Sequence, residues 1–252
     1  MKVVGIIGGI GPESTIEYYR LIIASYREQK RDGSYPSIII NSINMKKIVD
    51  LIEANELALM TAYLVGELHR LARAGADFGV LAANTPHIVF DDLARQSPIP
   101  LISIVKATCQ KAQALGMKRI GLFGTRFTMQ GRFYAELFSR VGMTLVLPNE
   151  EEQVYIHDKY MNELVPGIFL PETRERLLEI VDRMKVREAI EGLILGGTEL
   201  PLILRDEAGT ASVPFLDTTR IHVKSIVAEL LSRQDNSVDI NVHNESMNNE
   251  KN

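Results

Sequence analysis

Val80-Leu81-Ala82-Ala83-Asn84-Thr85-Pro86-His87 and Leu193-Ile194-Leu195-Gly196-Gly197-Thr198-Glu199-Leu200-Pro201 share one pattern: a short apolar run, then small residues, then polar ones. An apolar run of that length bounded by turn formers reads as a buried strand. In an open parallel sheet, ligands bind beyond the carboxyl ends of strands. Both stretches therefore direct small and polar groups toward the same kind of place, and any chemistry is expected there.

The two stretches are copies at a fixed distance. Ala83 and Gly197 stand 114 residues apart, and so do Pro100 and Pro214, which open the apolar segments that follow. Val3 to Gly8 and Arg119 to Gly124 match at 116 residues. The expected fold is α/β, built from two pseudo-symmetric parallel-sheet αβ modules. A site formed from both Ala83 and Gly197 would lie between the copies, a common location for small-molecule clefts.

Composition narrows the function classes. The chain has 252 residues, enough for one large domain or two smaller ones. Its 46% hydrophobic and 24% charged residues are ordinary for a globular protein. A net charge of −4 gives no basic field, so nucleic acid is not an expected partner. No apolar run reaches the roughly 18–20 residues of a membrane span. Val3 to Ile7 runs directly into glycines rather than into a cleavage site, so a cytoplasmic location is expected. The single cysteine, Cys109, excludes an intrachain disulfide and reads as a buried helix residue. The five histidines show no ligand spacing, so no metal is expected.

Along the chain, strands are expected at 1–8, 36–43, 78–83, 101–104, 119–124, 144–147, 192–196 and 213–217. Helices follow them, with 45–74, 129–141 and 152–165 each read as one helix. The glycine turn Gly8 to Ser14, with Pro12 and Glu13 opening a helix, offers backbone amides to an anionic group; a plain tight turn is the alternative. The second strand ends in Asn41 and Ser42. Proline-rich crossings near 98–100 and 214 divide the chain into a first module of 1–98 plus 214–232 and a second of 99–213. The polar, Asn-rich segment 233–252 is expected to be a disordered tail.

Gly8-Gly9-Ile10-Gly11-Pro12-Glu13-Ser14-Thr15, Ala83-Asn84-Thr85-Pro86-His87, Gly124-Thr125 with Thr128-Met129, and Gly197-Thr198-Glu199-Leu200-Pro201 occur in one order over residues 1–230. In this the chain resembles the cofactor-independent aspartate/glutamate racemases. The resemblance implies a small amino acid or dicarboxylate bound between the modules, a homodimer, and neither pyridoxal phosphate nor metal. The family's two catalytic cysteines, which exchange a proton on opposite faces of the substrate's α-carbon, match Ala83 and Gly197 here. Neither residue can carry a proton, so two-thiol racemisation is expected to be absent or altered. Restoring cysteines at both positions is expected to recover part of it, with the backbone conformation of Gly197 as the main obstacle. Many members also carry a basic residue where this chain has Pro166, and Lys159 is a substitute only if its helix faces the cleft.

Polar groups remain at the strand ends. Gly11, Asn41, Ser42, Asn84, Thr85, Thr125 and Thr198 are candidates for substrate binding, since converging neutral donors can hold a carboxylate; capping of turns is the alternative for the threonines. Glu199 and His87 are the candidate acid–base groups, against a capping and a structural role respectively. Three function classes compete. The first is an isomerase, lyase or one-base epimerase on the racemase scaffold, and the second a non-catalytic ligand-binding homologue. The third is a nicotinamide-dependent dehydrogenase, suggested by Gly9-Ile10-Gly11. Ser14 at the third glycine position and Asn41-Ser42 in place of an acidic ribose ligand weaken that last reading.

Overall fold

Val3 to Gly8 is apolar on both faces and buried on both, which selects the centre of a parallel sheet. In the computed structural model, which describes residues 2–204 and 211–232, this segment is strand β1 (Val3–Gly8). It is followed by α1 (Pro12–Gln29), β2 (Ser37–Ser42), α2 (Met45–Glu53), α3 (Leu57–Arg73) and β3 (Phe78–Leu81). A 3₁₀ turn (Thr85–Val89), α4 (Phe90–Gln96), β4 (Leu101–Ile102) and α5 (Ile104–Ala114) complete the first half. The second half repeats the order. It runs β5 (Arg119–Gly124), α6 (Arg126–Met129), α7 (Arg132–Ser139), β6 (Thr144–Val146), α8 (Glu150–Lys159), a π-helical turn (Tyr160–Leu164) and α9 (Pro171–Glu188). It closes with β7 (Gly192–Gly196), α10 (Leu200–Ile203), β8 (Phe215–Asp217) and α11 (Thr218–Leu231).

The strands form two parallel four-stranded sheets, ordered β2-β1-β3-β4 and β6-β5-β7-β8. In each, the strand that precedes the key stretch lies inside the sheet, β3 beside β1 and β7 beside β5. The carboxyl ends of those strands deliver Ala83 and Gly197 to the same side of the molecule as the turns that follow β1 and β5.

Two strands sit differently from the division expected at 98 and 214. Leu101 and Ile102 pair with Gly79 and Val80, so β4 belongs to the first sheet, and β8 pairs with β7 in the second. The chain changes sheets one step later, at the helix starts. Ser103 caps α5 and Asp217 caps α11, each side chain accepting from a backbone N–H three residues on. Ile104, Val105, Cys109 and Ala112 of α5 then pack on Ile120, Leu122 and Ile194 of the second sheet. Val223, Ile226, Val227 and Leu230 of α11 pack on Val4, Ile6, Phe78 and Val80 of the first. Each of those four side chains contributes about 1.5–3 kcal/mol on burial, so the exchanged helices tie the two sheets together.

Three segments read as single helices differ in the structure. Asn55 adopts the left-handed region at φ 55°, which asparagine tolerates, and separates α2 from α3. Gly131 is extended and separates α6 from α7. The segment around 152–165 starts earlier, at a capping box between Asn149 and Glu152, and ends in the π-helical turn. Cys109 is buried, as its position on a helix face predicted. Residues 233–252 lie outside the described residues. Among the described residues no helix is long and apolar enough to cross a membrane, and no cluster of His, Cys, Asp and Glu is placed to hold a metal ion.

Candidate functional site

A cavity of about 40 Å³ is lined by residues of both sheets' strand ends: Ala83, Asn84 and Thr85 after β3, Thr125 after β5, and Gly196 to Glu199 at and after β7. Ile10, four residues of α2, Phe127, Met161 and Val165 form its apolar walls, and Tyr160 reaches in from the π-helical turn. A water molecule needs about 10–15 Å³, so the cavity has room for a few waters. A larger surface groove of about 520 Å³ takes in His87 but none of the other residues singled out at the strand ends. Convergence of both repeats makes the smaller cavity the candidate site.

Its polar groups fall into two sets. In the first, the hydroxyls of Thr85 after β3 and of Thr125 and Thr128 after β5 form a triangle with sides of 3.1, 3.2 and 3.3 Å. Thr125 also caps α6, which fixes its rotamer. Asn84 accepts from the Tyr134 hydroxyl at 2.7 Å and donates to Thr218 at 3.2 Å, so its amide is held by elements of both sheets. On the Gly197 side stands a carboxylate–phenol pair. Glu199 accepts from the Tyr160 hydroxyl and, at 2.9 Å, from the Thr198 hydroxyl. Burial pushes the Glu199 carboxyl above its usual range despite those hydrogen bonds. Burial and the neighbouring Glu199 raise the Tyr160 phenol well above its ordinary value.

Gly197 explains why Tyr160 can stand there. A Cβ on Gly197 would lie 2.3 Å from Tyr160 Cε2 and 2.7 Å from its hydroxyl oxygen. The backbone of Gly197 is outside the left-handed region. The obstacle to a side chain at this position is therefore the tyrosine ring and not the backbone, contrary to the expectation from sequence. Gly11, expected to bind substrate, does not line the cavity; it makes a similar allowance for Glu199 from behind. It sits at φ 93°, and a Cβ there would meet Glu199 Oε1 at 2.3 Å. Gly11→Ala is expected to cost about 1–3 kcal/mol from strain and overpacking. Urea unfolding of Gly11→Ala, Glu199→Ala and the double variant checks this. The double variant should lose less than the sum, because the clash is removed and the φ strain remains.

The other residues expected at the site are placed elsewhere. His87 is buried beside the cavity rather than in its wall. Its Nε2 accepts from the Ile104 N–H at 3.3 Å, so its Nδ1 carries the proton and donates to the Ala83 carbonyl at 3.1 Å. Burial, with nearby His222 adding to it, lowers its pKa to about 3, and the ring stacks on Phe90. His87 is thus a neutral brace for the strand end. Asn41 donates to Glu67 at 2.7 Å, and Ser42 packs against Gly9; neither lines the cavity. The Gly9 amide, one of the donors expected for an anion, is taken by the Thr15 hydroxyl at 2.8 Å. Lys159 pairs with Glu163 and does not line the cavity.

Tyr160 was not among the expected site residues. Its position in the sequence is one helical residue among several, and only the missing side chain at Gly197 hints that something must fill the space. No Lys, Arg or His is among the described residues that line the cavity.

Comparison with known proteins places this site in context. A family model described as Asp/Glu/Hydantoin racemase matches residues 7–226. The broad specificity amino-acid racemase RacX of Bacillus subtilis is 22% identical over 92% of this chain and 99% of its own length. A Pyrococcus horikoshii protein described as an aspartate racemase homologue is 36% identical, with a TM-score of 0.78 over 91% of this chain and 99% of that one. A Yersinia pestis protein provisionally called an Asp/Glu racemase is 31% identical, with a TM-score of 0.83 over 92% of this chain and all of that one.

Proposed function

The chain belongs to the Asp/Glu/Hydantoin racemase family, and we propose that it binds a small amino acid or carboxylic acid in the cleft between its sheets without two-thiol racemisation. One observation carries this reading: neither Ala83 nor Gly197 has a proton to exchange, and the Tyr160 ring fills the space into which a side chain at 197 would project. Proton transfer on opposite faces of an α-carbon needs a titratable group on each face. Beside Ala83 the cavity wall offers a methyl group and the hydroxyls of Thr85 and Thr125, neither of which is paired with a base.

The walls narrow the ligand. Ile48, Val49 and Ile52 of α2, with Phe127, Met161 and Val165, present an apolar surface, and no basic residue of the described chain faces it. Such a wall suits one carboxylate, held by the threonine hydroxyls, and an apolar side chain. A second carboxylate would be buried there without a counter-charge, at a cost of several kcal/mol. The proposal extends to a homodimer that works without a cofactor, as the family resemblance implies, and to a cytoplasmic location, as the sequence composition implies; size-exclusion chromatography with light scattering checks the dimer.

Thermal unfolding in the presence of L- and D-leucine, methionine, aspartate and glutamate tests the ligand class. A ligand at 100 times its Kd stabilises by about 2.7 kcal/mol, so the monocarboxylates should raise Tm by several degrees and the dicarboxylates by less. Chiral chromatography of the same mixtures should show no inversion of aspartate or glutamate. Robust inversion by the unmodified chain would overturn the reading.

A further inference from the structure

We propose that Tyr160 and Glu199 form a proton relay on the Gly197 side of the cleft, so that this chain removes and returns a proton on one face of its substrate's α-carbon only. The inference rests on the reading that the cleft binds a small amino or carboxylic acid.

The argument begins with placement. Tyr160 opens the π-helical turn, closed by the Val165 N–H donating to the Tyr160 carbonyl at 2.9 Å. Such turns are rare and recur at functional sites. Here the turn carries the phenol to the surface of Gly197, where the hydroxyl lies 2.7 Å from the position of an absent Cβ. A group that merely filled the gap left by a glycine would need no polar end. This one ends in a hydroxyl bonded to a buried carboxylate, and Thr198 donates to the same carboxylate oxygen at 2.9 Å, which fixes its orientation. Gly11, by lacking a Cβ, leaves room for its other oxygen. Two loops and a helical turn thus converge on one proton-carrying pair that faces the cavity.

The step balances without an added reagent. The substrate's Cα–H bond breaks and its proton passes to the Tyr160 oxygen while the phenolic proton passes to Glu199, leaving the electron pair on the α-carbon, delocalised into the adjoining carboxyl. Reversal returns a proton to the same face. Burial favours the relay, because it makes Glu199 a stronger base than an exposed carboxylate and keeps Tyr160 protonated until the transfer. Among the described residues, no titratable group beside Ala83 competes: Ala83 ends in a methyl group, and both nitrogens of His87 are committed to backbone groups.

The test is proton exchange in D₂O, followed by the loss of the Hα signal of L- and D-leucine and L- and D-aspartate in ¹H NMR, with binding of each measured by calorimetry. The expected result is deuterium incorporation into one enantiomer with retained configuration. Glu199→Gln should slow the exchange by about 10²–10⁴-fold and Tyr160→Phe by an amount within the same range. Tyr160→Phe keeps the ring against Gly197, and its binding is measured beside its exchange rate so that a loss of exchange is separated from a loss of affinity. The exchange rate should rise with pH as Glu199 ionises, and this dependence should vanish in Glu199→Gln. Binding without exchange, or exchange undiminished by Glu199→Gln, overturns the relay and leaves the binding reading standing. Exchange accompanied by inversion overturns the one-faced assignment. Absence of binding by all four probes overturns both.

Discussion

Ala83→Cys combined with Gly197→Cys is expected to give no measurable racemisation while Tyr160 keeps its side chain, and adding Tyr160→Val is expected to release it. The thiols supply the two titratable groups that a two-face mechanism requires, each contributing about 10²–10⁴-fold. With Tyr160 in place, the Cβ of a residue at 197 would lie 2.3 Å from the ring. Either the ring or the thiol must leave its position, and overpacking of this kind costs about 1–3 kcal/mol. Valine at 160 returns the volume without opening a large void. Chiral chromatography of an amino acid that the cleft binds, run on the double and the triple variant, checks the expectation. Equal rates in the two variants would show that Tyr160 does not obstruct position 197. The same experiment separates a lost mechanism from a replaced one, since the triple variant also removes the phenol of the relay.

Acid is expected to unfold this protein through two buried histidines. His222 accepts from the Tyr18 hydroxyl at 2.8 Å and donates to the Ile102 carbonyl at 3.0 Å, so like His87 it is fixed in one neutral tautomer. Burial lowers its pKa to about 4, and that of His87 to about 3. In the unfolded chain both titrate near 6.5. Between pH 6.5 and those lower values the unfolded state binds more protons, so stability falls as pH falls, by up to about 1.4 kcal/mol per pH unit for each histidine. Over two units below pH 6.5 the combined loss is on the order of 5 kcal/mol, comparable with the whole stability of many domains. Glu199 and Asp217, whose carboxyl groups are raised by burial, act in the opposite direction. Urea midpoints from pH 7 to pH 4.5, compared with His222→Asn, isolate the histidine contribution. The variant should be weaker at pH 7 and show about half the slope. An unchanged slope would mean that His222 is protonated in the folded state.

The family was legible because it is written in local signals that recur in order. Apolar runs ending in Ala83-Asn84-Thr85 and Gly197-Thr198-Glu199, spaced 114 residues apart, are enough for buried parallel strands whose ends share a site. The residues that meet in the cavity at those ends, including Thr85, Thr125 and Thr198, follow from the same strand-end rule. Side-chain neighbours across the chain do not. Nothing near Tyr160 in sequence announces that its ring occupies the space beside Gly197, 37 residues away. Nor does the local sequence of His87 say that both ring nitrogens are taken by backbone groups, which removes it from the acid–base candidates.

The exchange of helices between sheets was likewise hidden. Pro100 and Pro214 mark where the chain turns, but a two-residue strand can pair with either sheet, and the apolar faces of α5 and α11 fit any apolar layer. The sequence by itself determined the family, the repeat and the absence of proton carriers at 83 and 197, because strand pattern and residue chemistry are local properties. Only the tertiary structure decided which side chain fills the space beside Gly197 and which histidines are locked neutral. Burial and hydrogen-bond partnership depend on groups brought together from distant parts of the chain, and a buried group's pKa follows from those neighbours rather than from its own residue type.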